Sequence, residues 1–164
     1  MHLPSDGVVR LDDFRSLDVP TLVSADHDPE HRRRFEIPDS FVPTIQHAER
    51  TLVTWLRKKA MGTSWTLAVR DCVTGDLLGG CELSTAGADA ARLSYWIYPP
   101  HRSRGAGTRA VSLASQWALD QLGFARIELS IDSDNHPSRL IALRNGFTER
   151  GLHEGRVQYV KERS

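Results

Sequence analysis

The run from Leu93 to Thr108 constrains this chain most: a strand-like alternation ends on two prolines and passes through a glycine-spaced loop into a helical stripe. Leu93, Tyr95 and Ile97 alternate with Ser94, Trp96 and Tyr98, the period of a strand with two different faces. Pro99 and Pro100 remove backbone donors, so pairing stops and the chain leaves the sheet. Beyond them, Arg102, Gly105 and Gly107 precede Ala110, Val111, Leu113, Ala114, Trp117, Ala118 and Leu122, apolar positions at helical spacing closed by Gly123. The loop therefore sits on a helix N-terminus. Glycines let backbone approach a ligand, and first-turn N–H groups at the positive end of the helix dipole favour phosphate oxygens. Arg102 and Arg104 add forked cationic donors. An ordinary tight turn before a helix has the same look, so the reading depends on what lies downstream.

Downstream, Asn135-x-x-Ser138 lies one strand later, followed by Leu143-Arg144-Asn145-Gly146-Phe147. Together with Tyr95-Trp96-Ile97-x-Pro99 and Arg102-x-x-Gly105-x-Gly107, this order of motifs resembles the GNAT family of N-acetyltransferases, and within it the ribosomal-protein-acetyltransferase-like, RimJ/RimL-type branch. The resemblance is close over residues 91–151 and weaker from about residue 8. It implies an α/β fold of the α+β kind: a mixed, mostly antiparallel central sheet with a splayed parallel strand pair, flanked by about four helices. Acetyl-CoA, the implied co-substrate, would sit in the splay with its pyrophosphate on Arg102, Ser103, Arg104, Gly105, Ala106, Gly107 and Thr108. Backbone groups near Ile97 and Tyr98 would meet the oxyanion and pantetheine, and Asn135 would hydrogen-bond the pantetheine or only satisfy backbone groups before a helix.

At 164 residues the natural reading is a single domain over residues 1–164. Lys plus Arg and Asp plus Glu number 21 each, so there is no global basic field and nucleic acid is not an expected partner. Cys72 and Cys81 form neither a disulfide framework nor a metal-ligand pair of usual spacing, so no metal is expected and a reducing, cytoplasmic setting is. Pro4, Ser5, Asp6 and Gly7 stand where a secretory signal needs an apolar run, and no stretch is long enough to span a bilayer, so no membrane partner is expected. No Lys-Ser or Lys-Thr follows Gly107, which disfavours a phosphoryl-transfer loop.

Along the chain, patterning predicts a strand at Val8–Leu11 and a helix from near Ser16 that Pro20 confines. Residues 26–43 read as a loop or broken helix, in which Phe35, Phe41 and the Arg32-Arg33-Arg34 run either shape the acceptor pocket's mouth or form a solvated charge run. A helix over 44–60 is expected to lay Ile45, Ala48, Leu52, Val53 and Leu56 on the sheet. A hairpin over 64–84 turns at Thr74-Gly75-Asp76, and Ala125–Ile131 is a strand parallel to that ending at Tyr98, with the cleft at their C-terminal ends. The last helix, from His136-Pro137, is expected to turn Leu140, Ile141 and Leu143 inward, and a terminal hairpin turns at Glu154-Gly155.

Amine acetylation needs a neutral acceptor held near the thioester carbon, a stabilised oxyanion and help for the departing thiolate. Many GNAT enzymes carry a tyrosine seven residues after the motif asparagine; here that position is Ala142. The resemblance leaves Ser138 as leaving-group donor, against a role in capping its helix. Glu82, on a strand among apolar residues, is either a general base with a burial-raised pKa or a solvent-facing residue beside a water chain. His31, His47 and His153 show no partners in the sequence. The function implied is transfer of an acetyl group to a primary amine, of a small molecule or a protein N-terminus, by direct attack in a ternary complex. The alternative is a non-catalytic CoA-binding module of the same fold. The terminal hairpin is short for the branch, and a partner subunit in a homodimer would complete that wall.

Overall fold

The central strands carry apolar residues on both faces, Leu67 and Val69 on one and Ala68 on the other, so each face of the sheet needs a covering layer, and helices supply both. The computed structural model describes residues 2–164. Its strands are β1 (Val9–Asp12), β2 (Ser64–Asp71), β3 (Leu77–Thr85), β4 (Ala90–Ile97), β5 (Arg126–Asp132), β6 (Thr148–His153) and β7 (Arg156–Glu162). The helices are α1 (Val19–Ala25), α2 (Pro29–Arg34), α3 (Ile45–Ala60), α4 (Ala106–Asp120) and α5 (His136–Arg144). One more α-helix forms than the sequence suggested: Pro29 starts α2, and the Asp28 carboxylate caps it by accepting the His31 N–H at 3.0 Å. No helix among the described residues is long and apolar enough to cross a membrane.

The strand order is β1-β2-β3-β4-β5-β7-β6, antiparallel except between β4 and β5. That pair comes from the expected crossover through α4, and its register runs only from Ala90–Arg126 to Arg92–Glu128. Beyond that point the strands diverge, while β3 stays paired with β4 out to Ile97 and β7 with β5 out to Asp132. The sheet is thus two antiparallel blades joined at one end.

Leu67, Val69, Cys81, Leu83, Leu93, Ile127 and Leu129 pack with Ala110, Val111, Ala114, Trp117 and Ala118 of α4 in the larger core. Ala68 packs on the other face with Phe14, Val19, Leu22, Ala48 and Leu52. Two expected stripes are corrected here. On α3 only Ala48 and Leu52 are buried, while Ile45, Val53 and Leu56 are 59%, 65% and 51% exposed. The helix rests on β2 and α1 along one narrow line, so side chains a third of a turn away from it reach solvent. On α5, Leu140 and Leu143 are exposed and Ala142 is fully buried, because the helix leans its small side chain into the core.

A buried ion pair fixes α1 to the sheet. Arg70 Nη2 and Nη1 donate to Asp18 Oδ2 and Oδ1 at 2.6 and 3.1 Å, both side chains being 2% exposed, with Asp12 Oδ2 at 3.3 Å from Arg70 Nε. Removing one partner strands the other charge without water. Asp18→Ala is therefore expected to cost about 3 kcal/mol in urea denaturation, the Asp18→Leu, Arg70→Met double substitution costing less than Asp18→Ala alone.

Candidate active site

The divergence of β4 and β5 leaves their facing edges without partners. Tyr98 N–H donates to Leu78 C=O on the β3 side at 2.9 Å. By strand alternation, the backbone groups of Ser94 and Trp96 also face β3, and those of Tyr95 and Ile97 face the gap. The Ile97 carbonyl is taken by Arg102 Nε at 2.9 Å. The expectation for Tyr98 needs correction on this point, since its amide is spent on β3. Its ring is buried away from the gap, and burial pushes the hydroxyl up to about 12. Ile97 keeps its amide on the open edge.

The gap widens into a cleft of about 730 Å³ lined by β4, β5, α2, α4 and α5. Ile97, Arg102, Ser103, Gly105, Ala106, Gly107, Thr108, Asn135 and Ser138 all lie on it, as the sequence suggested. At its floor the backbone is left-handed at Ser103 (φ 59°) and at Gly105 (φ 83°), the residue that caps α4. The first backbone bond of α4 runs from Arg109 N–H to Gly105 C=O, so the N–H groups from Ser103 to Thr108 have no backbone partner among the described residues. Such a series at a helix N-terminus is a cradle for an anion. Gly107 is tight for a second reason: a Cβ there would stand 3.2 Å from Tyr95 Cε2 and 3.3 Å from Ile141 Cδ1.

The two loop arginines do something other than expected. Arg102 braces the loop, giving Nε to Ile97 C=O and Nη2 to the Asp28 carboxylate at 2.7 Å. Burial works against ionisation of Asp28, but the Arg102 and His31 N–H bonds and the Arg102 charge outweigh it and hold the carboxyl below its ordinary range. Arg104 lines a separate hollow with Asp71, Asp76, His101 and Arg109.

Helix α2 forms the opposite wall, and the charge run that suggested a solvated face is instead a strut. Arg34 Nη1 contacts Asp132 Oδ2 and Asp134 Oδ1, each at 2.7 Å, and Arg33 reaches Asp134 at 3.0 Å. Arg34 first, then Arg33, holds the Asp134 carboxyl down at about 2. Arg156 of β7 adds a contact to Asp132 at 3.1 Å. Phe35 faces the cleft and meets Trp96 edge-on at 5.5 Å, whereas Phe41 turns away onto His47. His31 does have partners: Asp26 at 3.7 Å and the rings of Phe35 and Trp96. Burial lowers its pKa against the pull of Asp26 and Asp28, leaving a neutral imidazole on the cleft wall at neutral pH. Trp96 in turn lies over Gly80, where a Cβ would meet the indole at 2.3 Å.

Glu82 is not brought to this group. Its carboxylate accepts the Ser64 hydroxyl at 2.9 Å, and it does not line the cleft, although its cross-strand neighbour Ser94 does. At α5 the capping role belongs to Asn135, whose Oδ1 accepts the Ser138 N–H at 3.3 Å. The Ser138 hydroxyl is thereby free of capping and meets Tyr95 Oη at 2.7 Å. Ala142, at the position where the resemblance implied a tyrosine, is sealed in the core and does not face the cleft. Residues given no role from the sequence are Asp28, Tyr95, Trp96 and Asp132; Tyr95 and Trp96 carried a signal, both lying in the motif strand.

The family profile of the acetyltransferase (GNAT) domain matches residues 9–148. No curated protein matches the chain. Among solved structures, the RimL ribosomal-protein α-N-acetyltransferase in complex with coenzyme A superposes with a TM-score of 0.83 at 15% identity, covering 98% of each chain. The microcin self-immunity acetyltransferase MccE in complex with acetyl-CoA and AMP gives 0.82 at 19% identity, covering 96% of this chain and 93% of that one. RimJ of Mycobacterium smegmatis in complex with a CoA disulfide gives 0.80 at 16% identity, covering 96% and 83%. At these identities the structures share the fold, while the profile spans most of the sequence together with its loop, strand and α5 motifs: the chain belongs to the GNAT acetyltransferase family.

Proposed function

We propose that this protein transfers the acetyl group of acetyl-CoA to a primary amine by direct attack within a ternary complex. The observation that carries the reading is the continuity of the unpartnered N–H groups of Ser103–Thr108 with the open edge of β4 at Tyr95 and Ile97. The first suits a pyrophosphate and the second an extended amide-bearing arm, which would pair with β4 as an added strand does. The fit places no side chain in the way at Gly105 or Gly107.

The acceptor amine comes in along the wall of Phe35, Trp96 and His31. Its nitrogen attacks the thioester carbon, a C–N bond forms, the C–S bond breaks, and sulfur leaves with the electron pair while the amine proton passes to water. An amide on the β4 edge stabilises the oxyanion, and the Ser138 hydroxyl donates a hydrogen bond to the departing thiolate. Of the cleft carboxylates, Asp132 and Glu30 are committed to Arg34 and Glu36 lies 3.6 Å from Arg156, so none is assigned the part of general base. RimL acts on the α-amine of a ribosomal protein, which supports a protein N-terminus as acceptor beside a small amine.

Saturating acetyl-CoA is expected to raise the melting temperature by several degrees, through binding to the folded state alone. Unchanged melting together with no heat of binding would remove the cofactor from the reading. Free-thiol release measured over a panel of amines and N-terminal peptides then separates an enzyme from a CoA-binding module, which would bind and release nothing. Gly107→Val should abolish acetyl-CoA binding and also lower stability, because the new side chain meets Tyr95 and Ile141. Ser138→Ala should lower turnover roughly tenfold to a thousandfold with acetyl-CoA affinity preserved. Wild-type turnover in that variant would leave the thiolate to water.

A further inference from the structure

A side-chain hydrogen bond crosses the opening between the two blades of the sheet, from Tyr95 Oη on β4 to Ser138 Oγ on α5 at 2.7 Å. Geometry alone lets either oxygen donate. The surroundings choose between them. The Tyr95 ring packs against the large core, with Gly107 and Ile141 immediately beneath, and among the described residues its hydroxyl has no acceptor other than Ser138. The phenol is partly buried and lines the cleft together with Ser138; a phenol is the stronger donor of the two and an aliphatic hydroxyl the stronger acceptor, so the bond runs from Tyr95 to Ser138. The Ser138 proton is then left over, since the hydroxyl borders the cleft and is not needed as a cap.

We infer that Tyr95 is a positioning residue: it donates to Ser138 Oγ, occupies an acceptor lone pair there and turns the serine proton into the cleft toward the cofactor sulfur. Resting on the reading of Ser138 as leaving-group donor, this deepens it by naming what aims the donor. A free serine hydroxyl rotates among several orientations, only some of which reach the sulfur. The hydrogen bond from a ring held by packing removes that freedom before the reaction begins, which is the condition for strong stabilisation of a developing charge. Burial raises the Tyr95 pKa against the opposing effect of Ser138, so the phenol remains a donor throughout the neutral range. No proton need leave Tyr95. The thiolate departs with its electron pair, hydrogen-bonded to Ser138, and takes its proton from water afterwards.

The test uses coenzyme A itself and requires no knowledge of the amine. CoA labelled with carbon-13 at the carbon bonded to sulfur is titrated on the protein, and its shift against pH reports the acidity of the bound thiol. A donor aimed at the sulfur favours the thiolate, so Ser138→Ala should weaken the acid dissociation constant of bound CoA by about tenfold. Tyr95→Phe, which keeps the ring and its packing, should weaken it about threefold to tenfold with CoA affinity unchanged, and should have no further effect in the Ser138→Ala background. An unchanged thiol in Ser138→Ala overturns the reading of Ser138. A shifted thiol in Ser138→Ala, together with a wild-type titration in Tyr95→Phe or an equal shift in both backgrounds, overturns only the positioning role. Should Tyr95→Phe fail to fold, fluorotyrosine in place of Tyr95, a more acidic donor, should strengthen the thiol's acidity; no change would overturn the proposal.

Discussion

Pairing between β4 and β5 ends at Arg92 and Glu128, and the cleft follows from that limit. Had the parallel register continued, the backbone groups of Tyr95 and Ile97 would be satisfied by β5 and there would be neither space nor a polar edge for a ligand. Each strand instead stays straight against its other neighbour, β3 or β7, so the opening costs pairing on one side only. The exposed edge is not a folding defect. It is a half-built sheet that an extended ligand can complete.

Such an opening has to be held at a fixed width, and three kinds of contact do this. Helix α4 packs across β1, β3 and β4 and contacts α5, so the floor of the cleft is apolar and rigid. Helix α2 spans the mouth and is tied at both ends, through Asp28 to Arg102 on the loop and through Arg34 to Asp132 and Asp134 beyond β5. Tyr95 and Ser138 join the blades within the cleft. Arg34 is mostly shielded from solvent and makes several contacts at once, which distinguishes it from an isolated surface pair of little energetic worth.

Much of this was legible in the chain. Strand alternation, the proline stop, the helical stripe of α4 and the start of α5 at His136-Pro137 are local properties, and they put the glycine loop and Ser138 on the lining of one cleft. Where the reading failed, the deciding quantity was never local. Ile45, Val53 and Leu56 satisfy helical spacing as well as Ala48 and Leu52 do, yet a short line of contact with β2 and α1 buries only the second set. Glu82 sits between buried neighbours and shares a face with Ser94, but its carboxylate is held by Ser64 of β2, on the side away from the cleft. Arg102 has the chemistry to hold phosphate; a carboxylate from residue 28, far away in sequence, claims it.

By itself the sequence determined every strand, every helix but α2, the places where glycines free the backbone, and which family's motifs the chain carries, because these depend on neighbours a few residues apart. Only the tertiary structure decided what each functional group meets. Arg33 and Arg34 became a strut since their counter-charges lie at the end of β5 and on the loop after it. The Ser138 hydroxyl became a free donor since Asn135 took the cap and Tyr95, from across the splay, supplied its partner. Hydrogen-bond and ion-pair partners are fixed by through-space distance, and a linear pattern holds no distances between segments that the fold has yet to bring together.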